Sequence, residues 1–368
     1  MNKSAQRLHL QLRDTLQQRI TDGYYKPESR FPTELELAQE FSLSRGTIRK
    51  ALQLLEDRGI LARQPGKGTF INQADTPHNE LEAPSGLIGI TVPHTHDRLS
   101  SNIIKGAERV TRERGYHLLY TNIENDLRIE TEQLSRLKNQ RVAGIILFPL
   151  ATKGEPEILQ DLICTIPTVL VDRELDEFCG SVVLSDNFNA AYQGVQYLLN
   201  QGHSRIACVS HLSDASSVIE RIRGYQQAMR DAGRLPYATI KLLDCGAYPP
   251  GEIPEYAAEE LIEIDHALSV PERPTAVFCI NDYIAIGVMR LALSKGLCVP
   301  KDLSVLGFDN SVFAQLAPVP LSSIEQQEVE IGARACEMLL DKIANPDAAP
   351  QKILLPTRLI LRASTAKE

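Results

Sequence analysis

Apolar residues recur at Leu8, Leu12, Leu16 and Ile20, the four-residue spacing of a helix that lays one stripe on a core. Gly23 ends that pattern. A second helix is predicted from Thr33, because Thr33 and Glu36 have capping-box spacing and Leu37, Ala38 and Phe41 give it a buried face. Ser42-Leu43-Ser44 then separates it from a third helix, Arg45 to about Asp57, which ends near Gly59. In that third helix Ile48, Leu52 and Leu55 point inward, while Arg45, Arg49 and Gln53 share the outer face. The stretches Ile60–Arg63 and Thr69–Ile71 flank Gln64-Pro65-Gly66-Lys67-Gly68 and read as two strands around a Gly-rich turn. The expected unit is therefore a helix-turn-helix followed by a wing, over residues 1–72.

Residues 73–86 lack periodicity and carry two prolines, so they read as a linker. From Leu87 the pattern changes. Short apolar runs, LIGITV, HLLYT, GIILF and TVLV, alternate with helical stretches, and the alternation resumes with RIACVS, a helix of Arg221 to Ala232, TIKLL, TAVFCI, a helix of Asp282 to Lys295, and LSVLGF. Repeated β-α units predict an α/β class with doubly wound parallel sheets. Residues 87–368 exceed one comfortable sheet, so two α/β lobes with a cleft between them are expected.

The net charge of −8 hides an asymmetry. Residues 1–73 carry +4 and the remainder −12, a basic module on an acidic body, which is a nucleic-acid footprint. No apolar run approaches the roughly 20 residues of a membrane span, and residues 1–20 do not form a signal peptide, so the protein is expected in the cytoplasm. Seven scattered cysteines, never spaced C-x-x-C, fit reduced core thiols.

From Leu8 to Asn72, the run FPTELELAQEF-SLSRGTIRKALQLLEDRGILARQPGKGTFI closely resembles the GntR family of winged helix-turn-helix regulators. Leu35 departs from that pattern where Arg is common, and Glu28 where Gly is common after Pro27. Residues 87 to 362 resemble the effector domain of LacI/GalR regulators, itself similar to periplasmic sugar-binding proteins, through GHSRIACVS, RIRGYQQAM, FCINDYIAIGVMRLA and VPKDLSVLGFDN. A GntR-type head on a LacI-type body resembles the arabinose-operon repressors of Gram-positive type. That resemblance implies a homodimeric repressor of carbohydrate genes, relieved by a small sugar such as L-arabinose. The sequence itself leaves the sign of the response and the effector open, a purine or nucleoside being the alternative.

The major groove admits one helix, and Arg can donate two hydrogen bonds to guanine O6 and N7. Arg45 and Arg49 are the candidates for base contact, Thr47 and Lys50 for phosphate contact, and Gly66, Lys67 and Gly68 for close approach of the wing. Thr33 and Glu34 complete the expected DNA-facing set. A solvated helix face is the plain alternative for the two arginines. The wing, the turn and the family pattern outweigh it. Gly66-Lys67-Gly68 is no Walker A loop, because Leu61 stands where its first Gly is needed.

In open parallel sheets ligands meet the loops at the carboxyl ends of strands. There lie His94, Thr95 and His96 after GITV, Asp172 after TVLV, Asn281 and Asp282 after AVFCI, and Asp309 and Asn310 after SVLGF, with Arg221 opening a helix beyond RIACVS. Carboxylates, amides and a guanidinium suit a sugar's adjacent hydroxyls. The LacI-type resemblance puts effector contacts at Asp172, Arg221, Asn281, Asp309 and Gln326; Tyr248 is a candidate for stacking on the ring, and His94 joins the set. An Asp or Asn after a strand is usually a turn former or cap, and Asp282 reads as a cap. His94 and His96 form H-x-H without convergent Cys or carboxylates, so neither metal nor cofactor is expected. An α/β enzyme is the competing class, disfavoured by the absence of G-x-G-x-x-G after the first strand, of a Walker A loop and of a G-x-S-x-G elbow.

Overall fold

The computed structural model describes residues 9, 12–13, 15–20, 24–25, 31–57, 60–64, 68–71, 85–95, 98–150, 159, 162–163, 165–176, 178–235, 239–243 and 261–365. They form two compact units, Met1–Glu82 and Ala83–Glu368.

In the first unit Leu12, Leu16 and Ile20 are buried on helical residues, as their spacing requires. They pack with Phe31, Leu37, Ile48, Ala51, Leu52 and Leu55 into one small core. Helix α1 (Glu34–Phe41) starts with a complete capping box of Thr33 and Glu36 and stops at Ser42, which is left-handed at φ 53°. Ser44 opens helix α2 (Arg45–Asp57), its hydroxyl accepting from Thr47 N at 3.3 Å. Strands β1 (Leu61–Gln64) and β2 (Gly68–Ile71) pair antiparallel, Leu61 opposite Ile71, and make the wing. Phe31 N donates to Thr69 O at 2.8 Å, tying the entry of α1 to the wing.

The described residues of the second unit form two six-stranded sheets. The first lobe contributes β3 (Ser85–Val92), α3 (Arg98–Glu113), β4 (His117–Asn122), α4 (Leu127–Asn139), β5 (Val142–Leu147), β6 (Thr168–Val171) and β7 (Ser181–Ser185). After α5 (Asn187–Asn200) the second lobe contributes β8 (Ile206–His211), α6 (Ser216–Asp231), β9 (Thr239–Leu243), α7 (Ile262–Ser269), β10 (Ala276–Cys279), α8 (Asp282–Ser294), β11 (Ser304–Phe308), α9 (Val312–Leu316) and β12 (Ser322–Glu325). Helix α10 (Glu328–Ala344) and β13 (Lys352–Leu355) return to the first lobe, and β14 (Arg358–Ile360) ends in the second. The orders are β13-β7-β6-β5-β3-β4, all parallel, and β14-β12-β11-β10-β8-β9, parallel except for β14. Among the described residues the chain thus passes between lobes near Asp186, Gln326 and Pro356.

Strand runs such as TVLV and AVFC are buried at every position, as expected of sheets covered on both faces. Helices α3 and α10 cross where Gly106 meets the Val329 carbonyl and Gly332 meets the Ile103 carbonyl, and a Cβ at either glycine would overlap that backbone. Two boundaries need correction. The helix expected from Arg221 begins at Ser216, because Ala215 caps it without a side-chain hydrogen bond and leaves no sequence signal. Ser85 and Gly86, assigned to the linker, belong to β3; residues 73–84 lie outside the described ones.

Candidate nucleic-acid interface and effector cleft

The outer face of α2 carries Arg45, Arg49 and Lys50, all exposed. Arg49 donates from Nε and Nη2 to the Glu34 carboxylate at 3.1 and 2.9 Å. That forked pair holds the Glu34 carboxyl below its ordinary range. The acidic residue on this face thereby fixes the direction of an arginine whose side chain is 69% exposed. Thr33 is occupied by the capping box and Thr47 by Ser44, the two hydroxyls standing 2.9 Å apart. Gly68 has φ 120°, a conformation that favours glycine, and starts the second wing strand. Gly66, Lys67 and Glu28 lie outside the described residues. A groove of about 370 Å³ runs between α2 and the wing, lined among others by Leu35, Arg45, Arg49 and Arg63.

In the second unit, the two strand-end aspartates repeat one geometry. Asp172 follows β6 with φ 64°, and its N–H donates to Val183 O of the next strand at 3.1 Å. Asp309 follows β11 with φ 96°, and its N–H donates to Ile324 O at 2.7 Å. Asp and Asn tolerate this left-handed region better than most residues.

Around Asp309 the predicted residues converge. Its Oδ1 accepts from Gln326 Nε2 at 2.7 Å and lies 3.5 Å from Arg221 Nη1. Arg221 is 5% exposed and is fixed further by Nε donating to Asn187 Oδ1 at 2.8 Å and Nη1 to Ile280 O at 2.6 Å, with its guanidinium 3.6 Å from the centre of the Phe308 ring. Gln326 Oε1 accepts from Ser185 Oγ at 2.6 Å. Ser185, Asn187 and Gln326 all sit at lobe crossings, so this network joins the hinge to the second lobe.

Asp172 faces it from the first lobe. Its Oδ2 accepts from Ser217 Oγ on α6 at 3.3 Å and lies 3.7 Å from Arg173 Nε, while Oδ1 is buried with no hydrogen-bond partner among the described residues. His94 is half-buried at the end of β3. Tyr248 and His96 lie outside the described residues.

The cap expected at Asp282 is Asn281 instead, its Oδ1 accepting from Ile284 N at 2.9 Å. Asp282 is fully buried and braces the loop after β11, Oδ1 accepting from Ser323 Oγ and Oδ2 from Ser311 N, each at 2.6 Å. Burial, with Asp309 nearby, pushes its carboxyl up to about 7.

Three side chains of the cleft were missed. Arg173 spans back to the Pro149 and Leu150 carbonyls at 3.3 and 3.4 Å, and burial lowers its affinity for its proton. His211 closes β8, and burial together with Arg173 and Arg221 lowers it to about 4, so its imidazole is neutral at pH 7. Glu328 opens α10, accepts from Arg98 Nε at 3.0 Å, and is raised by burial to about 7. Arg173 and His211 lie at strand ends, the same signal that flagged Asp172. Among the described residues no group of three His, Cys, Asp or Glu is placed to hold a metal, and no helix is long and apolar enough to cross a membrane.

A winged helix-turn-helix and a two-lobed clamp with a polar hinge network are the parts of a DNA-binding regulator with an effector domain. Residues 8–71 match the bacterial regulatory proteins of the gntR family, and residues 195–365 match the periplasmic binding protein-like domain. The chain is 33% identical over 363 residues to the arabinose metabolism transcriptional repressor of Geobacillus stearothermophilus, covering 97% of each chain. It is 30% identical over 315 residues to the ribose operon repressor of Escherichia coli strain K12, covering 81% of this chain and 93% of that one. The chain belongs to the family of transcriptional repressors that join a GntR-type DNA-binding domain to a periplasmic-binding-protein-like effector domain, and it is a repressor of sugar-related genes rather than an enzyme. A LacI family transcriptional regulator from Enterococcus faecium, solved with bound ribose, shares its fold at a TM-score of 0.64 and 24% identity, over 76% of this chain and 98% of that chain.

Proposed function

We propose that this repressor works in the cytoplasm as a homodimer, holds a two-fold operator of carbohydrate-utilisation genes through Arg45, Arg49 and the wing, and releases it when L-arabinose or a closely similar pentose enters the cleft. The observation that carries this reading is the hinge network. Asp309 is already hydrogen-bonded by Gln326 and ion-paired with Arg221 on one side, and Asp172 on the other keeps a buried oxygen without a partner among the described residues. A sugar hydroxyl donates to that oxygen while its neighbours accept from Arg221 and the Asn281 amide. His211, neutral at pH 7, completes a set of groups that both donate and accept. Contacts drawn from both lobes favour the lobe arrangement that grips the sugar. A dimer whose two heads must span fixed half-sites loses affinity when that arrangement changes.

The test is thermal unfolding of the whole protein with pentoses, hexoses, pentose phosphates and nucleobases. A ligand at 100 times its Kd stabilises the native state by about 2.7 kcal/mol. The expected result is a rise in midpoint with L-arabinose or a close pentose, absent in Asp172→Asn, which keeps the left-handed backbone but replaces a carboxylate oxygen with an amide donor. A rise with purines alone would replace the sugar reading with the nucleoside one.

A further inference from the structure

The groove between α2 and the wing is lined by three arginines, Arg45, Arg49 and Arg63, against two carboxylates, Glu34 and Glu56, the first of them paired with Arg49, and by one exposed leucine, Leu35 at 51%. A scattered surface leucine needs no explanation. This one lies among guanidinium groups, on the face whose charge suits a duplex, at the second position of α1. Its backbone is held on both sides: Glu34 is paired with Arg49, and Glu36 closes the capping box with Thr33. A short apolar side chain on a fixed helical turn is therefore presented to whatever the cations seat. The base edges in the major groove offer hydrogen-bonding groups and one apolar group, the thymine 5-methyl.

We propose that Leu35 reads a thymine 5-methyl group in each operator half-site, beside the bases faced by Arg45 and Arg49. This rests on the reading that the α2 face binds operator DNA. The contact gives the operator preference a component that does not depend on salt, because it comes from burying a methyl group and not from releasing counterions. One methyl group removed from water corresponds to about three- to fivefold in affinity.

Duplexes enriched from a random library by the full-length protein supply the operator, and each thymine of one half-site is then replaced in turn by uracil, which lacks only the methyl. The expected result is one position at which uracil weakens the native protein about three- to fivefold. At that position Leu35→Ala binds thymine and uracil duplexes equally, whereas Leu35→Met keeps the preference. An unchanged thermal midpoint shows that either variant is folded. The proposal is overturned if uracil has no effect at any position, or if Leu35→Ala keeps the thymine preference everywhere. Enrichment of no duplex overturns the operator reading itself, and the proposal with it.

Discussion

The outer face of α2 and the strand-end cluster around Asp309 both rely on arginine paired with carboxylate, in opposite surroundings. Arg49 is 69% exposed and tied to a single acid, Glu34. Arg221 is 6% exposed in its side chain and is held by Asp309, Asn187, the Ile280 carbonyl and the Phe308 ring. The difference suits what each is proposed to recognise. A polyanion is attracted at a distance by hydrated cations, which cost little to leave in water. A neutral sugar is distinguished mainly by short, directional hydrogen bonds, and these discriminate best in a dry, pre-aligned site. Side chains of the cleft should therefore matter to stability as well as to binding, and those of the DNA face to binding alone.

Arg221→Ala gives the largest effect, because it strips partners from Asp309 and Asn187 inside the hinge. A loss of about 3–5 kcal/mol in urea unfolding is expected. A loss below about 1 kcal/mol would mean that the cleft is no more structural than the DNA face.

Asp282 adds a pH dependence. Its carboxyl lies near 7 in the folded protein against an ordinary 3.8, so the native state keeps a proton that the unfolded chain releases between about pH 4 and 7. Its contribution is full below pH 4 and is lost as pH rises through 7. The stability difference between the native protein and Asp282→Asn should shrink by on the order of 2 kcal/mol from pH 5 to pH 8. Glu328 and His211 titrate in both proteins and drop out of that difference.

Arg49→Ala is expected to weaken operator binding by about 10- to 100-fold while the unfolding free energy stays within about 0.5 kcal/mol. Fluorescence anisotropy and urea unfolding measure the two. The smallest effect belongs to Lys50→Ala, which should reduce the slope of log affinity against log salt by about 1 and leave sequence preference unchanged.

What could be read from the sequence depended on how local its cause was. Thr33 and Glu36 announce the start of α1 because both partners of the capping box lie within one turn. Buried runs such as TVLV announce parallel strands, and Asp172 and Asp309 were legible as polar residues at strand ends. Asn281 and Asp282 were not separable in this way. What distinguishes cap from brace is Ser323, 41 residues away. The α3–α10 crossing was hidden for the same reason, since Gly106 and Gly332 acquire meaning only when the chain returns to the first lobe. Arg173 and His211 also end strands, but their setting comes from groups distant in the chain, the Pro149 and Leu150 carbonyls for Arg173 and the Arg173 and Arg221 charges for His211.

The most direct test of the account joins its two halves. Labelled operator is titrated with the full-length protein, with and without saturating L-arabinose, and the same pair of titrations is run on Asp172→Asn. The sugar is expected to raise the operator Kd of the native protein by at least about tenfold, a coupling in the ordinary range for allosteric proteins, and to leave that of Asp172→Asn unchanged. An operator Kd indifferent to the sugar in both proteins would contradict the account.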